Sequence, residues 1–273
     1  HAYLDEVARD PQDADHERDF LVPQTWYRLH DALVRAMVER MRGAKGESLR
    51  FLHLAVGYAL PPSLVLMCGL PGSGKSTVAR GLAGPLRAVV LRSDEHRKQQ
   101  AGLPPTARGD ASLYEASVTT RVYSELLTMA AEAIRCGRHV IVDAGFPTAG
   151  LRAMARETVS VLSAATAGSA VERWQKRAPG AHDRAPASAT ATVPWIVVEC
   201  VAPLMELRRR LEHRVHDAQE VSDADVAVMQ SMAARFESPG EIDARRRVRV
   251  ESASPMERVR TVVLGRLMTG AIE

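Results

Sequence analysis

Short apolar runs alternate with segments of helical periodicity along the second part of this chain. The five runs occupy residues 64–68, 89–91, 139–142, 195–200 and 248–250. Strands that lack an alternating polar face are typical of parallel sheets, which are buried on both sides. Apolar residues recur at helical spacing between the runs and predict helices over 112–135, 149–163, 203–214, 223–236 and from 255 onward. The pattern therefore predicts an α/β fold with a five-stranded parallel sheet covered by helices.

The first sixty residues follow a different pattern. Residues 1–20 are polar and acidic, and we expect them to be loosely structured. Apolar residues at helical spacing predict a helix over 23–41 and a second, shorter helix over 48–60. We therefore predict a short helical appendage over 1–60, followed by a larger α/β domain over 61–273.

One segment interrupts the alternation of strands and helices. Residues 164–192 are rich in Ala, Ser, Thr, Gly and Pro and are far longer than an ordinary helix-to-strand connection. This composition favours a disordered insertion at about 164–192. A functional flap is the alternative, with Trp174 as the residue that could anchor it.

Composition is ordinary for a globular protein, with 46% hydrophobic residues and a formal net charge of +3. This weak charge gives no argument for a nucleic-acid partner. The three cysteines, Cys68, Cys136 and Cys200, lack metal-binding spacing and are expected to be buried free thiols. No membrane-spanning run or signal peptide is present, so we expect a cytoplasmic protein without a membrane partner. The chain begins at His1 rather than Met, as a fragment or a trimmed chain would.

A phosphate-binding loop of the form G-x-x-x-x-G-K-[ST] lies between the first predicted strand and a predicted helix. Its residues are Gly69, Leu70, Pro71, Gly72, Ser73, Gly74, Lys75 and Ser76. Glycines allow backbone N–H groups to point at an anion, and the helix N-terminus adds a positive dipole end. We expect Lys75 to reach the β- and γ-phosphates, Ser76 to bind Mg²⁺ and Thr77 to contact the α-phosphate. The motif predicts that the chain binds ATP and Mg²⁺.

Asp94 follows the second predicted strand, where ligands bind in open parallel sheets. A carboxylate there can orient an acceptor hydroxyl and take its proton. Arg97 lies on the same side if a helix begins at Asp94, and could bind a negatively charged acceptor. The alternative for this pair is a helix cap followed by an exposed arginine.

Asp143 ends the third predicted strand, beside the phosphate loop, and is a candidate to hold Mg²⁺. A helix cap or turn residue is the alternative. Arg210 and Arg214 are four residues apart on a predicted helix, so they share a face and could stabilise charge on a transferring phosphoryl group. A solvated basic helix face is the alternative for these arginines.

Several segments together resemble one protein family. They are Met67–Thr77, Leu91–Asp94 with Arg97 and Lys98, Val140–Ala144, and Val198–Cys200 with Leu207 and Arg208. The chain over roughly 62–265 resembles the AAA-type small P-loop kinases, akin to phage polynucleotide 5′-kinase, zeta toxins and chloramphenicol phosphotransferase. The resemblance implies an adenylate-kinase-like fold, with Asp94 as acceptor-side base and Arg97 as a contact to an acceptor phosphate. The family usually has Thr after Asp-Ala where this chain has Gly145, so a hydroxyl is missing at the acceptor side.

Residues 24–60 are similar to the helical end of an aminoglycoside-phosphotransferase-like domain, whose catalytic loop is absent here. The expected function is ATP- and Mg²⁺-dependent phosphoryl transfer to a hydroxyl of a small molecule or of a nucleotide or nucleic-acid end. Lys75, Asp94, Arg210 and Arg214 are the predicted catalytic residues. One alternative is an ATPase or nucleotide-gated switch. The other is a nucleotide-binding module that partners an upstream phosphotransferase-like domain.

Overall fold

The computed structural model describes the backbone of residues 13–104, 106–107, 109–177, 192–214, 222 and 224–272. Side chains are described for residues 24–104, 106–107, 109–110, 112–165, 192–213, 222 and 224–270. The chain divides into two compact units, with the boundary between Ala59 and Leu60. Within the described part, no helix is long and apolar enough to span a membrane.

The first unit is a pair of helices, α1 (Asp13–Met41) and α2 (Lys45–Ala59). Its buried side chains are those of three alanines, Ser48 and His53, and the Ser48 hydroxyl donates a hydrogen bond to the carbonyl of Ala36 at 2.7 Å. The expectation of a loosely structured segment over 1–20 was wrong from residue 13 onward, because α1 already begins at Asp13. Residues 13–20 contain no Gly or Pro that would interrupt a helix, and the composition argument overlooked this.

The second unit is built on a five-stranded parallel sheet. Its strands are β1 (Leu64–Cys68), β2 (Val89–Arg92), β3 (Val140–Asp143), β4 (Trp195–Val201) and β5 (Arg247–Glu251). They lie in the order β2-β3-β1-β4-β5, and every neighbouring pair is parallel. The predicted α/β class with a five-stranded parallel sheet is therefore confirmed. Because all strands point the same way, their carboxyl ends form one edge, at which the phosphate loop lies.

Helices connect the strands. They are α3 (Lys75–Leu86), α4 (Ser93–Gln100), α5 (Ala116–Arg135), α6 (Ala149–Arg177), α7 (Leu204–Arg214), α8 (Val226–Ala233) and α9 (Met256–Ile272), with 3₁₀ turns at Ala111–Tyr114 and Ala244–Arg246. Every side chain of β1 and β3 is buried. On one face of the sheet, α5 contributes Val122, Leu126 and Ala130 to the largest core cluster. This packing explains why the central strands carry continuous apolar runs.

The helix that we predicted to end near residue 163 continues to Arg177. Residues 164–177 are rich in alanine, a strong helix former, and the next Pro-Gly pair follows only at 179–180. The backbone of the first half of the predicted insertion is therefore helical, which corrects that part of the prediction. Residues 178–191 and the side chain of Trp174 lie outside the described residues.

Candidate nucleotide-binding and phosphoryl-transfer site

The loop between β1 and α3 turns tightly at three glycines. Gly69, Gly72 and Gly74 have φ values of +137°, +79° and +91°, which residues other than glycine rarely adopt. A Cβ on Gly69 would also lie 2.4 Å from the carbonyl oxygen of Cys200. Helix α3 begins directly after Gly74, so the unpaired N–H groups of its first turn face the loop.

The loop fits a phosphate group. The Ser73 side chain is 1% exposed, and its hydroxyl has no hydrogen-bond partner among the described residues. An orphaned buried hydroxyl is uncommon and points to a polar ligand. Backbone N–H groups at a helix N-terminus and the adjacent Lys75 ammonium provide the complementary positive field.

Lys75 bends back over the loop. Its Nζ donates to the carbonyl oxygens of Gly69 at 3.0 Å and Leu70 at 2.8 Å. Burial lowers the pKa of Lys75, and the nearby carboxylates of Asp143 and Asp94 act in the opposite direction. These interactions bring the loop lysine together with both predicted functional aspartates.

Asp143 ends β3 beside the phosphate loop and is 6% exposed. Arg92, its partner in the register of β2 and β3, places Nε 3.4 Å from Asp143 Oδ2. Ser76 is half-buried in the first turn of α3. No cluster of three or more His, Cys, Asp or Glu side chains with metal-binding geometry occurs in the described part of the chain. A Mg²⁺ ion would thus receive few protein ligands here and would depend on phosphate and water oxygens, as Mg²⁺ usually does.

Asp94 lies in the first turn of α4, immediately beyond the carboxyl end of β2. Burial raises the pKa of Asp94, whereas a hydrogen bond from Ser222 and the charges of Arg97 and Lys75 lower it. A carboxylate with a raised pKa is a better proton acceptor than an exposed one. The structure thus places Asp94 near the phosphate loop, within the electrostatic reach of Lys75.

Arg97 also lies on α4 but is buried, with 5% exposure. Its Nη1 donates to the carbonyl of Leu113 and contacts Thr119 Oγ1 at 3.4 Å. The guanidinium lies over the ring of Tyr114, 4.7 Å from the centroid. Its buried Nε has no partner within the described part of the chain. The contact between Arg97 and an acceptor stays a prediction. Because this side chain is buried and its Nη1 is already bonded, only its other N–H groups are left for an acceptor.

Arg210 on α7 reaches the opposite flank of the phosphate loop. It pairs with Glu206 at 2.6 Å and donates to the carbonyl of Gly72 and to Ser252 Oγ, each at 3.2 Å. A cavity of about 400 Å³ opens here, lined by Gly72, Gly74, Thr77, Arg209, Arg210 and His213. The side chain of Arg214, the second arginine predicted to stabilise charge on the transferring phosphoryl group, lies outside the described residues.

Tyr123 on α5 was not predicted as a site residue. Its hydroxyl oxygen accepts hydrogen bonds from the backbone N–H groups of Gly145 at 3.1 Å and Phe146 at 3.2 Å. Burial raises the pKa of Tyr123 to about 12, so the phenol stays neutral at ordinary pH. In the sequence, Tyr123 is one of several apolar positions on the buried face of a helix, and no local pattern distinguishes it from core residues.

Arg152 on α6 was likewise missed. It is completely buried and binds both carboxylate oxygens of Glu241, at 2.5 and 3.0 Å. Its Nη1 also donates to the carbonyls of Phe146 at 2.9 Å and Glu237 at 2.8 Å. A lone arginine in a predicted helix is usually exposed, and only the tertiary contacts identify this one as a link between the β3 end and a distant loop.

The two cysteines at the carboxyl ends of β1 and β4 are buried, as expected, whereas Cys136 is exposed. Burial raises the pKa of Cys68 to about 11 and that of Cys200 to about 12. Both thiols are therefore protonated at ordinary pH and poor nucleophiles. The expectation of three buried thiols was wrong for Cys136, which follows the last turn of α5 at the surface.

A phosphate loop at the carboxyl edge of a parallel β2-β3-β1-β4-β5 sheet defines a P-loop protein with a kinase-like fold. Residues 64–239 match a family described as AAA domain, and the chain belongs to this family. It is 33% identical over 143 residues to the uncharacterised protein Rv2004c of Mycobacterium tuberculosis and equally to its Mycobacterium bovis counterpart Mb2027c. Each match covers 48% of this chain, and the chain spans 29% of the length of these relatives.

Two solved structures are each similar to about three quarters of the chain. One is the APS kinase CysC of Mycobacterium tuberculosis in complex with AMPPNP and APS, with 20% identity, a TM-score of 0.51 and coverage of 77% of this chain and 99% of that chain. The other is a kinase candidate from Chloroflexus aurantiacus, with 20% identity, a TM-score of 0.52 and coverage of 75% and 98%. At these identities, the likeness concerns the fold.

Proposed function

We propose that the chain is an ATP- and Mg²⁺-dependent phosphotransferase whose acceptor is a hydroxyl group. The acceptor belongs to a small molecule or to a nucleotide or nucleic-acid end. The observation that supports this proposal best is the position of Asp94, a partly buried carboxylate with a raised pKa, in the field of Lys75 and Asp143. Such a carboxylate can take a proton from an acceptor hydroxyl, whereas in an ATPase it would take one from water, and the transfer assay below distinguishes the two.

In this proposal, the phosphate loop holds the triphosphate. N–H groups of the loop and of the first turn of α3 donate to its oxygens, together with the Ser73 hydroxyl and the Lys75 ammonium. Thr77, which lines the cavity beside the loop, contacts the α-phosphate. Ser76 and Asp143 hold Mg²⁺, which neutralises charge on the β- and γ-phosphates when bound.

Asp94 accepts the proton of the acceptor hydroxyl as its oxygen attacks the γ-phosphorus. A bond forms between the acceptor oxygen and phosphorus, the bond between phosphorus and the bridging oxygen breaks, and ADP leaves with that electron pair. Arg97 donates its remaining N–H groups to the acceptor. Arg210, and Arg214 from the same helix, stabilise negative charge on the transferring group.

The first unit belongs to a longer protein in this proposal. Curated relatives extend well beyond the matched region, and the chain spans 29% of their length. Large apolar side chains on α1 are exposed, among them Trp26 at 59% and Met37 at 58%. Such a surface favours packing against further protein, and an upstream phosphotransferase-like domain in the cytoplasm is the proposed partner.

The Asp94→Asn variant tests the proposed reaction. Asparagine keeps the size of the side chain but cannot accept the proton, so transfer should fall by about 10²–10⁴-fold. Affinity for a non-hydrolysable ATP analogue, measured by isothermal titration, should stay close to wild type. Asp110→Asn is the matched control, because Asp110 is an exposed cap residue of a 3₁₀ turn.

Transfer is measured with γ-labelled ATP against a panel of sugars, nucleosides and 5′-hydroxyl oligonucleotides. Full transfer by the Asp94→Asn variant would overturn the role of Asp94. Release of phosphate to water by the wild type, with no labelled acceptor in the whole panel, would favour an ATPase or a nucleotide-gated switch instead.

A further inference from the structure

The turn that follows Asp143 has an unusual backbone. Phe146 has a φ of +41° although it is a bulky, completely buried residue. Left-handed backbone is unfavourable for such a side chain and persists only where surrounding contacts hold it. Strain of this kind is common at functional sites, and here it lies three residues after the proposed metal ligand.

One oxygen atom satisfies both N–H groups of this turn. The Tyr123 hydroxyl accepts from Gly145 at 3.1 Å and from Phe146 at 3.2 Å. The Tyr123 ring also packs edge-on against the Phe146 ring, with 4.8 Å between centroids and an interplanar angle of 77°. Tyr123 therefore restrains the turn in two ways: its hydroxyl binds the backbone of the turn, and its ring packs against the Phe146 side chain.

The same turn is bonded to the phosphate loop. The N–H of Gly69 donates to the carbonyl of Gly145 at 3.0 Å, so the first residue of the loop and the turn share a hydrogen bond. A side chain at 145 would lie 3.6 Å from the carbonyl of Gly69 and 3.7 Å from the Tyr123 hydroxyl. Any shift of the turn is thus transmitted in two directions, to Asp143 at the strand end and to Gly69 in the loop.

We propose that Tyr123 is a positioning residue for the metal site, whose hydroxyl holds the Gly145–Phe146 turn and thereby aims the Asp143 carboxylate at the phosphate loop. This proposal rests on the metal-binding role proposed above for Asp143. Tyr123 is 4% exposed and acts through the backbone of the turn. Without its hydroxyl, the buried N–H of Phe146 and the partly buried N–H of Gly145 lose their acceptor, and the turn is free to relax towards ordinary backbone angles.

Tyr123→Phe is the appropriate variant because it removes one oxygen atom and retains the packed ring. Isothermal titration of the whole chain with a non-hydrolysable ATP analogue, once with Mg²⁺ and once with EDTA, gives the factor by which Mg²⁺ tightens nucleotide binding. We expect the affinity in EDTA to stay within about twofold of wild type, and the Mg²⁺ factor to fall about fivefold or more, as for a lost outer-sphere partner. Tyr27→Phe, on the exposed part of α1, is the matched control.

A double-mutant cycle separates positioning from general loosening of the fold. In the Asp143→Asn background the metal ligand is already gone, so Tyr123→Phe should not lower the Mg²⁺ factor further. An unchanged Mg²⁺ factor in Tyr123→Phe, or a chain too unstable to purify, would overturn the positioning role while leaving the proposed kinase intact. If Mg²⁺ fails to tighten binding even in the wild type, the role of Asp143 falls, and this proposal falls with it.

Discussion

Gly69 illustrates how little space the phosphate loop leaves for a side chain. Its φ of +137° disfavours any L-residue, and a Cβ would collide with the carbonyl of Cys200 on the neighbouring strand. We expect Gly69→Ala to lower the free energy of unfolding by roughly 2–4 kcal/mol, the combined cost of strain and overpacking. Denaturant unfolding measures this change.

Gly265→Ala is the matched control for that substitution. Gly265 lies in α9 with no atom within 4 Å of its ideal Cβ position. Alanine should be neutral or stabilise the chain there by up to about 1 kcal/mol, because glycine is unfavourable in a helix. Equal effects of the two substitutions would contradict the geometry described for the loop.

Asp94 should determine the acidic limb of the pH–rate profile. The carboxylate must be deprotonated to accept a proton, and burial raises its pKa above the ordinary range of an aspartate. Transfer should therefore decline, as the pH falls, at a higher pH than it would for an exposed aspartate. A profile of kcat/KM against pH, recorded beside a test of enzyme stability at each pH, checks this. A flat profile down to the ordinary range would contradict it.

Residue spacing identified the phosphate loop, because phosphate binding requires particular residue types at fixed positions within eight consecutive residues. The role of Tyr123 could not be predicted in this way. Its two hydrogen bonds reach residues 22 and 23 positions away, and they exist only once α5 packs beside β3.

At the scale of elements, the buried side chain of Arg152 joins α6 to the loop after α8. Arg152→Met should lower the free energy of unfolding by about 3 kcal/mol, because it leaves Glu241 and two carbonyl oxygens without their donor. Arg156→Met, one turn further along α6 and exposed, should change it by less than about 0.5 kcal/mol. Thermal and denaturant unfolding of both variants tests this difference.

The effect of Arg152 should also depend on pH. Its hydrogen bonds lower the pKa of Glu241, so this contact stabilises the fold above the unfolded pKa of a glutamate and is lost as the pH falls through the lowered value. The difference in stability between wild type and Arg152→Met should therefore shrink in acid. A constant difference across that range would show that the contribution of Arg152 does not depend on the charge of Glu241.

At the scale of the whole molecule, nucleotide binding should stabilise the unit that holds the phosphate loop. At about 100 times its Kd, a ligand of the folded state adds about 2.7 kcal/mol, or about 5–10 °C in Tm for a domain of this size. Lys75→Ala should abolish the shift produced by Mg²⁺ and a non-hydrolysable ATP analogue. Lys45→Ala, at an exposed position of α2, should retain it. A full shift in Lys75→Ala would remove the loop from nucleotide binding.

The sequence by itself determined the α/β class, the five parallel strands, the phosphate loop and the strand-end positions of Asp94 and Asp143. Each of these follows from patterns within a few residues, such as buried apolar runs and a glycine-rich turn before a helix. Tertiary structure alone decided which partners occupy Arg97, and how Tyr123 and Arg152 restrain the strained turn at Phe146. These features depend on contacts between residues distant in the chain, and the free energy of such contacts arises only when the helices pack on the sheet.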